Sequence, residues 1–531
     1  MYAKRFLAVS LLIALTLFSS SCDMSDVQVS DTEAAVQADV IKPRDNTVKA
    51  FDGQVGLAFQ ADSTFNPYQD IGRLNLQIAG LIYDGLFRQG PDFGAQPLLC
   101  ESAEVSGNVW TLRLKGGVLF HGGSTLSAAD VKYSLDLARK SAVYSERLKD
   151  VASVKAVGDD TVQITLKKPD GALDQKLCVP IIRSGDGKES LPDGTGRYTV
   201  SEDADGGRQL AAFSGWHGGK PMPYGTIRLI PADKPDILVY GFQTGEIDLV
   251  EESKIGASLT PYRSDADTYS FPTSQMIFLG VNTGKAPLSD PLVRRALSAA
   301  IDRDALANKE LAGLMDPSDV PLSPAGTDIS AGAVKSGPDA AAAASLFEAA
   351  GMTKDESGGL LFQNGSKKKE FTLEILCGAD NPYMESVAKT LSEAFSELGV
   401  RATVNRQTFD DYKTAVKNRS FDIYVGRALL PAGFELSAFL YKGGALNWTN
   451  YENSGLNEKY EAYRAARGNE RKSLAGAFSG AFKQEVPFIP LGFARDVLLT
   501  VPELAPNITP SEQDIFYNLE AWNGPAQAAP G

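Results

Sequence analysis

The chain has 531 residues, with 52 basic against 66 acidic side chains and a formal net charge of −14. So acidic a chain is a poor partner for nucleic acid or for an anionic lipid surface. Its two histidines, His121 and His217, lie far apart between Gly-rich neighbours, and there is no Cys-x-x-Cys, so no metal-ligand spacing and no cofactor is expected.

The N-terminus begins with Lys4 and Arg5, followed by an apolar stretch from Phe6 to Phe18 broken only by Ser10 and Thr16. That stretch is shorter than the roughly 20 residues a spanning helix needs, and it reads as a secretory signal over 1–21. Ser19, Ser20 and Ser21 lead into Cys22, which is read as a lipidated new N-terminus; ordinary cleavage beside an incidental thiol is the alternative. Ser19 stands where most lipoprotein signals carry Leu. This reading places an exported lipoprotein on the periplasmic face of a membrane or on the cell surface. Residues 22–47 read as a flexible acidic linker: Asp23 to Asp39 holds no basic and no aromatic residue and cannot offset the entropy of ordering. Loss of Lys4 and Arg5 would leave 50 basic residues and a net charge of −16. The remaining length, about 480 residues, predicts two or three lobes. Cys100, Cys178 and Cys377 are an odd set and read as small buried hydrophobes, with a Cys100–Cys178 bridge left open.

Further along, Trp110, Leu112 and Leu114 alternate with Thr111, Arg113 and Lys115, which predicts a half-buried strand. Ser127, with Asp130 three residues on, opens a helix with an approximate capping box. Val154 to Leu166 reads as two strands around Gly158-Asp159-Asp160. Ser289-Asp290-Pro291 starts a helix whose Leu292, Ala296, Leu297, Ala300 and Ile301 share a face. Asp339 to Ala350 is an Ala-rich helix closed by Gly351. Phe371, Leu373 and Ile375 alternate as a strand. Val387, Leu391, Phe395 and Leu398 then form an amphipathic helix ended by Gly399, before strands at Val400–Val404 and Phe421–Val425. Strand, helix, strand is the signature of an α/β lobe. Asp410 and Asp411 read as helix-start or surface residues. No nucleophile-elbow pattern is present, although a Ser–His–Asp site is not excluded by sequence.

Several segments in fixed order carry a resemblance. Leu81-Ile82-Tyr83-Asp84-Gly85-Leu86-Phe87, Trp110 to Gly123, and Leu126-Ser127-Ala128-Ala129-Asp130-Val131 come first. Gly194 to Tyr198, Trp216 to Pro221, Phe242 to Asp248, Leu279 to Thr283, Asp290 to Leu297 and Pro487 to Leu491 follow. Together they resemble family 5 of the bacterial extracellular solute-binding proteins, the peptide and nickel class serving ABC importers. The resemblance implies an α/β, two-lobed periplasmic-binding-protein-like fold with a Venus-flytrap hinge and an extra subdomain in lobe I. The expected layout is lobe I over 48–280 with the subdomain at about 70–185, lobe II over 281–496, and 497–531 returning to lobe I before a frayed tail. It also implies a monomer that takes a small solute or oligopeptide to ABC permease subunits and touches the membrane only through its N-terminal lipid. A surface adhesin or sensory partner on the same scaffold is the alternative.

Peptide-binding members carry Trp-x-Ala-Asp-Tyr after a lobe II strand, its Asp meeting the peptide ammonium. Here Arg427 stands in place of the Trp and Leu430 in place of the Asp. A buried ammonium without a counter-charge costs several kcal/mol, so the usual capture of a free N-terminus is not expected. Either Arg427 meets a carboxylate or other anion with its fork of donors, or it pairs with an internal acid such as Glu435. Leu430, Phe434 and Glu435 complete this altered segment. Phe65 and Asn66 resemble the family's cleft-lining loop, with a core role for Phe65 equally open. Asn282 lies at the expected lobe crossing, where a structural role is favoured.

Overall fold

A computed structural model describes residues 51–255, 263–329, 334–449 and 451–522. The signal, Cys22, the acidic linker and the tail from Gly524 lie outside the described residues. No described helix is long and apolar enough to cross a membrane.

The first lobe opens with β1 (Gly56–Phe59), buried along its whole length, and α1 (Arg73–Ile82), whose Ile78, Ala79, Leu81 and Ile82 join the main core. The chain then builds a subdomain with its own core, from Leu86 to Ile181. It holds a hairpin, β2 (Phe87–Gln89) with β3 (Ala95–Pro97), then β4 (Cys100–Ser106) and β5 (Val109–Leu114). In β5 the alternation is as expected: Trp110, Leu112 and Leu114 are buried. Next comes α2 (Ala128–Ala138), where Asp130 Oδ2 accepts from both the backbone N–H and the hydroxyl of Ser127. β6 (Val151–Val157) and β7 (Thr161–Leu166) complete an antiparallel sheet in the order β4-β5-β7-β6, and the short α3 (Leu173–Lys176) follows. The subdomain core is thus narrower than 70–185, because α1 packs with the main core instead. Cys100 and Cys178 are free thiols, as is Cys377.

Back in the first lobe, β8 (Tyr198–Glu202), β9 (Arg208–Ala212) and β10 (Thr226–Pro231) form a meander, and β10 lies parallel to β1. After α4 (Pro235–Thr244), β11 (Leu249–Glu252) runs along the other side of β1. The 15-residue β12 (Asp267–Val281) then leaves the lobe. The second lobe contains α5 (Pro291–Ala299), α6 (Arg303–Ala305), β13 (Met315–Pro317) and α7 (Ala340–Ala349). A small sheet of β14 (Thr353–Lys354), β15 (Leu360–Asn364) and β16 (Lys367–Glu370) precedes β17 (Thr372–Gly378) and α8 (Pro382–Glu397). Then come β18 (Arg401–Gln407), α9 (Phe409–Lys417), β19 (Ile423–Leu429), α10 (Ser437–Leu440), α11 (Ser454–Ala465), α12 (Gly468–Glu485) and the returning β20 (Phe488–Thr500). Of the alternation expected over Val400–Val404, Val400 is buried and Ala402 packs against the main core, while Val404 is 37% exposed. β18 is an edge strand with only β17 beside it.

One sheet of 11 strands runs through both lobes, in the order β18-β17-β19-β12-β20-β11-β1-β10-β9-β8, with β13 added to β20. Its continuity rests on β12 and β20. The far half of β20 pairs with β11 of the first lobe, and the far half of β12 pairs with β19 of the second. Between these halves the β12–β20 register shifts, from Pro272↔Arg495 to Met276↔Phe493. After β20 the chain returns to the first lobe, where Phe516, Leu519 and Trp522 enter the main core and Arg197 donates to the Phe516 carbonyl and to Asp514.

Local chemistry explains the second lobe's first helix. Asp290 accepts from the Leu292 N–H and Pro291 starts the turn, a cap that leaves Arg294 pointing inward, 1% exposed. Its guanidinium donates to the carbonyls of Leu288, Ser289, Glu485 and Val486, tying the entrance of α5 to the end of α12. Arg294→Met keeps bulk but strands four carbonyls. It is expected to lower stability by about 2–4 kcal/mol in urea unfolding; a loss within measurement error would mean that water replaces the guanidinium.

Candidate functional site

The residues singled out by sequence fall into two groups. Phe65 is 4% exposed and stacks on Phe59 at 6.2 Å, inside the main core. Asn66 is fully buried, its amide donating to the carbonyls of Gly187 and Glu189. Asn282 donates to the carbonyls of Arg419 and Phe421, fixing the turn that leaves β12. These three brace loops. Leu430 is also buried, and its N–H bonds the Ser274 carbonyl in the register shift of β12. Arg427, Phe434 and Glu435, in contrast, stand where the lobes meet.

Arg427 projects from β19 because that strand's pairing with β12 continues past Val425 to Leu429. Its Nη1 donates to the carbonyl of Ile255 in the first lobe at 2.8 Å, and more weakly to Gln275 Oε1 at 3.4 Å. Asn381, the cap of α8, donates to the same Ile255 carbonyl at 3.1 Å. One carbonyl of the first lobe therefore holds two donors of the second. Burial lowers the pKa of Arg427, while Asp496 and Asp380 pull the other way. Its Nε and Nη2 make no hydrogen bond to a described residue. Leu429, two residues on and on the same face of the strand, is 61% exposed.

Two carboxyl groups border this region without an ion-pair partner among the described residues. Burial pushes Asp496, on β20, up to about 6, and its neighbour Glu251 adds to the effect. Burial likewise pushes Glu512 up to about 7, although its Oε1 accepts from both the N–H and the hydroxyl of Ser274. Glu512 thus fastens the C-terminal segment to the point where the crossing strands shift register. Among the described residues, no group of three or more His, Cys, Asp or Glu side chains is placed to hold a metal ion.

A second seam is aromatic. Phe93, at the tip of the β2–β3 hairpin, meets Phe434 edge-to-face at 5.0 Å, and Phe434 meets Phe493 of β20 at 5.7 Å. Phe93 and Phe434 both hold a positive φ, 61° and 54°, a conformation costly for an aromatic residue. Beside them lies a small cavity, walled by Phe93 and Gln175 from the subdomain and by Ser323, Thr327, Asp328 and Phe434 from the second lobe. Glu435, next in the chain, turns away from Arg427. Its partners are Ser437, Lys149 at 3.5 Å and Arg464 at 3.9 Å. Asp496, Glu512 and Phe93 gave no sequence signal, because each gains its place only when distant strands cross.

Polar groups around Arg427 and aromatic rings around Phe434, drawn from both lobes, thus meet along one boundary, the kind of place where a two-lobed protein takes a ligand. Comparison with known proteins agrees. The model of the bacterial extracellular solute-binding proteins, family 5 Middle, matches residues 94–444. The glutathione-binding protein GsiB of Escherichia coli strain K12 is 29% identical over 272 residues, spanning 48% of this chain and 53% of that protein, so the match covers about half of its length. GsiB of Pectobacterium atrosepticum is 28% identical over 370 residues, 66% of this chain and 68% of that one. Among solved structures, a nickel ABC transporter protein from Bacillus halodurans superposes with a TM-score of 0.71 at 18% identity, over 87% of this chain and 98% of that one. AppA of Bacillus subtilis, in complex with a nonapeptide, gives 0.57 at 18% identity over 89% and 99%. NikZ of Campylobacter jejuni, with Ni(L-His), gives 0.60 at 21% over 88% and 99%. At such identities the structural likeness establishes the fold and nothing finer.

The raised carboxyl groups have a consequence for stability. Unfolded, Asp and Glu titrate near 4. Folded, Asp496 and Glu512, with Asp248 of the first lobe at about 7, keep their protons to higher pH. Between those values the native state binds more protons than the unfolded one, so stability falls as pH rises. Among the other shifted groups, His121, lowered by burial, opposes this slope and Asp174, raised by burial, adds to it. Urea midpoints are expected to be lower at about pH 8 than at about pH 5, and Glu512→Gln, which keeps the acceptor for Ser274, should flatten that slope. An unchanged slope would remove Glu512 from the account.

Proposed function

This chain belongs to the family 5 bacterial extracellular solute-binding proteins, and from that membership we propose that it captures a short, carboxylate-bearing peptide or peptide-like solute between its lobes and delivers it to an ABC permease. The observation that carries the solute class is Arg427. It stands on the cleft-facing strand of the second lobe, uses one nitrogen to hold the first lobe's Ile255 carbonyl, and keeps two donor groups unused by described residues. Leu429 beside it offers an apolar contact, and buried Leu430 supplies no carboxylate for an ammonium. The relatives named for glutathione, a tripeptide with two carboxylates, agree with this class. In the same reading Phe434 and Glu435 shape the aromatic and ionic margins of the cleft. Cys22 carries the lipid that keeps a monomeric receptor beside its permease, outside the cytoplasmic membrane.

The test is titration of the purified protein with reduced glutathione and with defined di- and tripeptides. Thermal stabilisation should grow with the logarithm of ligand concentration. Arg427→Ala should weaken a carboxylate-bearing ligand by at least about tenfold, since hydrogen bonds to charged groups are worth roughly 1.5–3 kcal/mol. No stabilisation by any of these solutes would defeat the proposal, and unchanged affinity in the variant would leave Arg427 with lobe contact alone.

A further inference from the structure

Away from Arg427, the subdomain and the second lobe meet along a seam of alternating charge. Asp170, 5% exposed, follows β7. Its Oδ2 accepts from Lys176 Nζ at 2.6 Å and faces Arg464 of α11 at 3.5 Å. Arg464 also reaches Asp150 at 3.1 Å and Glu435 at 3.9 Å, and Glu435 reaches back to Lys149. Arg467, just beyond α11, pairs with Asp174 at 3.4 Å. Lys168 of the subdomain and Glu461 of α11 add a further pair at 3.4 Å, so acids and bases of both bodies interleave along the seam.

Steric fit accompanies the charges. The Gly171 N–H donates to the Arg464 carbonyl at 2.7 Å. A Cβ on Gly171 would collide with the Ala466 carbonyl oxygen, and one on Gly433 would press on Ala172 at 3.1 Å. Trp110, the largest side chain of the subdomain core, donates its indole N–H to the Asp170 carbonyl while Arg467 covers its ring at 4.0 Å. None of these groups lines the cavity beside Phe434 or touches Arg427.

A buried ion pair gives up hydration on forming and regains it on parting, so its net strength is a small difference between large terms. Such a contact suits an element poised between two states. We propose that this seam is a latch between the inserted subdomain and the second lobe, with Gly171 and Arg464 as positioning residues that set the closed population and thereby scale affinity for every solute alike. The proposal rests on the reading that the lobes close on a solute. A protein whose binding state is only partly populated binds more weakly by that fraction, whatever the ligand.

Gly171→Ala tests this with one methyl group, and Arg467→Gln, at a half-exposed position, is a second variant that removes the pair with Asp174. Two measurements need no solute: the radius of gyration by small-angle X-ray scattering, and acrylamide quenching of tryptophan fluorescence with Trp110→Phe as control. Both variants should be more open than wild type and expose Trp110, with urea midpoints close to wild type. A third measurement titrates reduced glutathione and one unrelated dipeptide. Gly171→Ala should lose affinity for both by the same factor, about tenfold for a tenfold fall in the closed population. Radius and quenching unchanged in both variants would overturn the latch. So would affinity lost for one solute only, which would make the seam a contact surface. If neither solute binds wild type while Gly171→Ala still opens the protein, the proposed solute class fails and the latch stands.

Discussion

The structure depends on a single backbone constraint: two strands must serve both lobes. β12 and β20 are bonded to each other along almost their full lengths, yet β12 gives its outer edge to β19 of the second lobe while the end of β20 gives its own to β11 of the first. A sheet held in this way cannot come apart into two bodies without breaking its ladder. It can twist where the ladder is already irregular, between Pro272 and Met276. That irregularity is braced on one side by Thr273, which donates to the Ala494 carbonyl, and on the other by Glu512 on Ser274. A short irregular stretch of two strands is the kind of place where hinged closure is accommodated.

The main core runs through both lobes, from Val55 and Leu57 to Ile423 and Val425, but several contacts between the bodies outside it are polar, aromatic or ionic. Arg427 and Asn381 share one carbonyl, Phe93 meets Phe434 edge-on, and Asp170 meets Arg464. This division is physically consistent. Apolar surface that parted repeatedly would be exposed at a cost proportional to its area. Charged and hydrogen-bonding groups instead exchange one set of partners for water. The inserted subdomain keeps an aliphatic core of its own, from Leu86 to Ile181.

What could be read from the sequence was what local physics decides. Trp110, Leu112 and Leu114 declare a strand by alternation, Ser127 and Asp130 declare a helix start, and Asp290 with Pro291 declares another. Arg427 was legible as a departure in a segment otherwise in family order, and it does stand between the lobes. Phe65 and Asn66 were legible only as a loop, and their packing shows them bracing it. The partner of Glu435 was not legible. Arg427, eight residues away in sequence, faces the first lobe, while Glu435 meets Lys149 from the subdomain. Contacts that span the subdomain and the second lobe, such as Asp170 with Arg464, leave no periodicity in a single sequence.

The return of the C-terminal segment has a consequence for how the chain is made. β1 comes early in the described residues, but the lobe it belongs to lacks β20, Phe516 and Trp522 until the whole second lobe has been synthesised. The buried guanidinium of Arg197 has no acceptor in Asp514 or at Phe516 before then. Contacts of such long sequence separation form late and slowly. The first lobe therefore completes its core only after the second lobe has been made, so its folding waits on a segment that crosses from one lobe to the other.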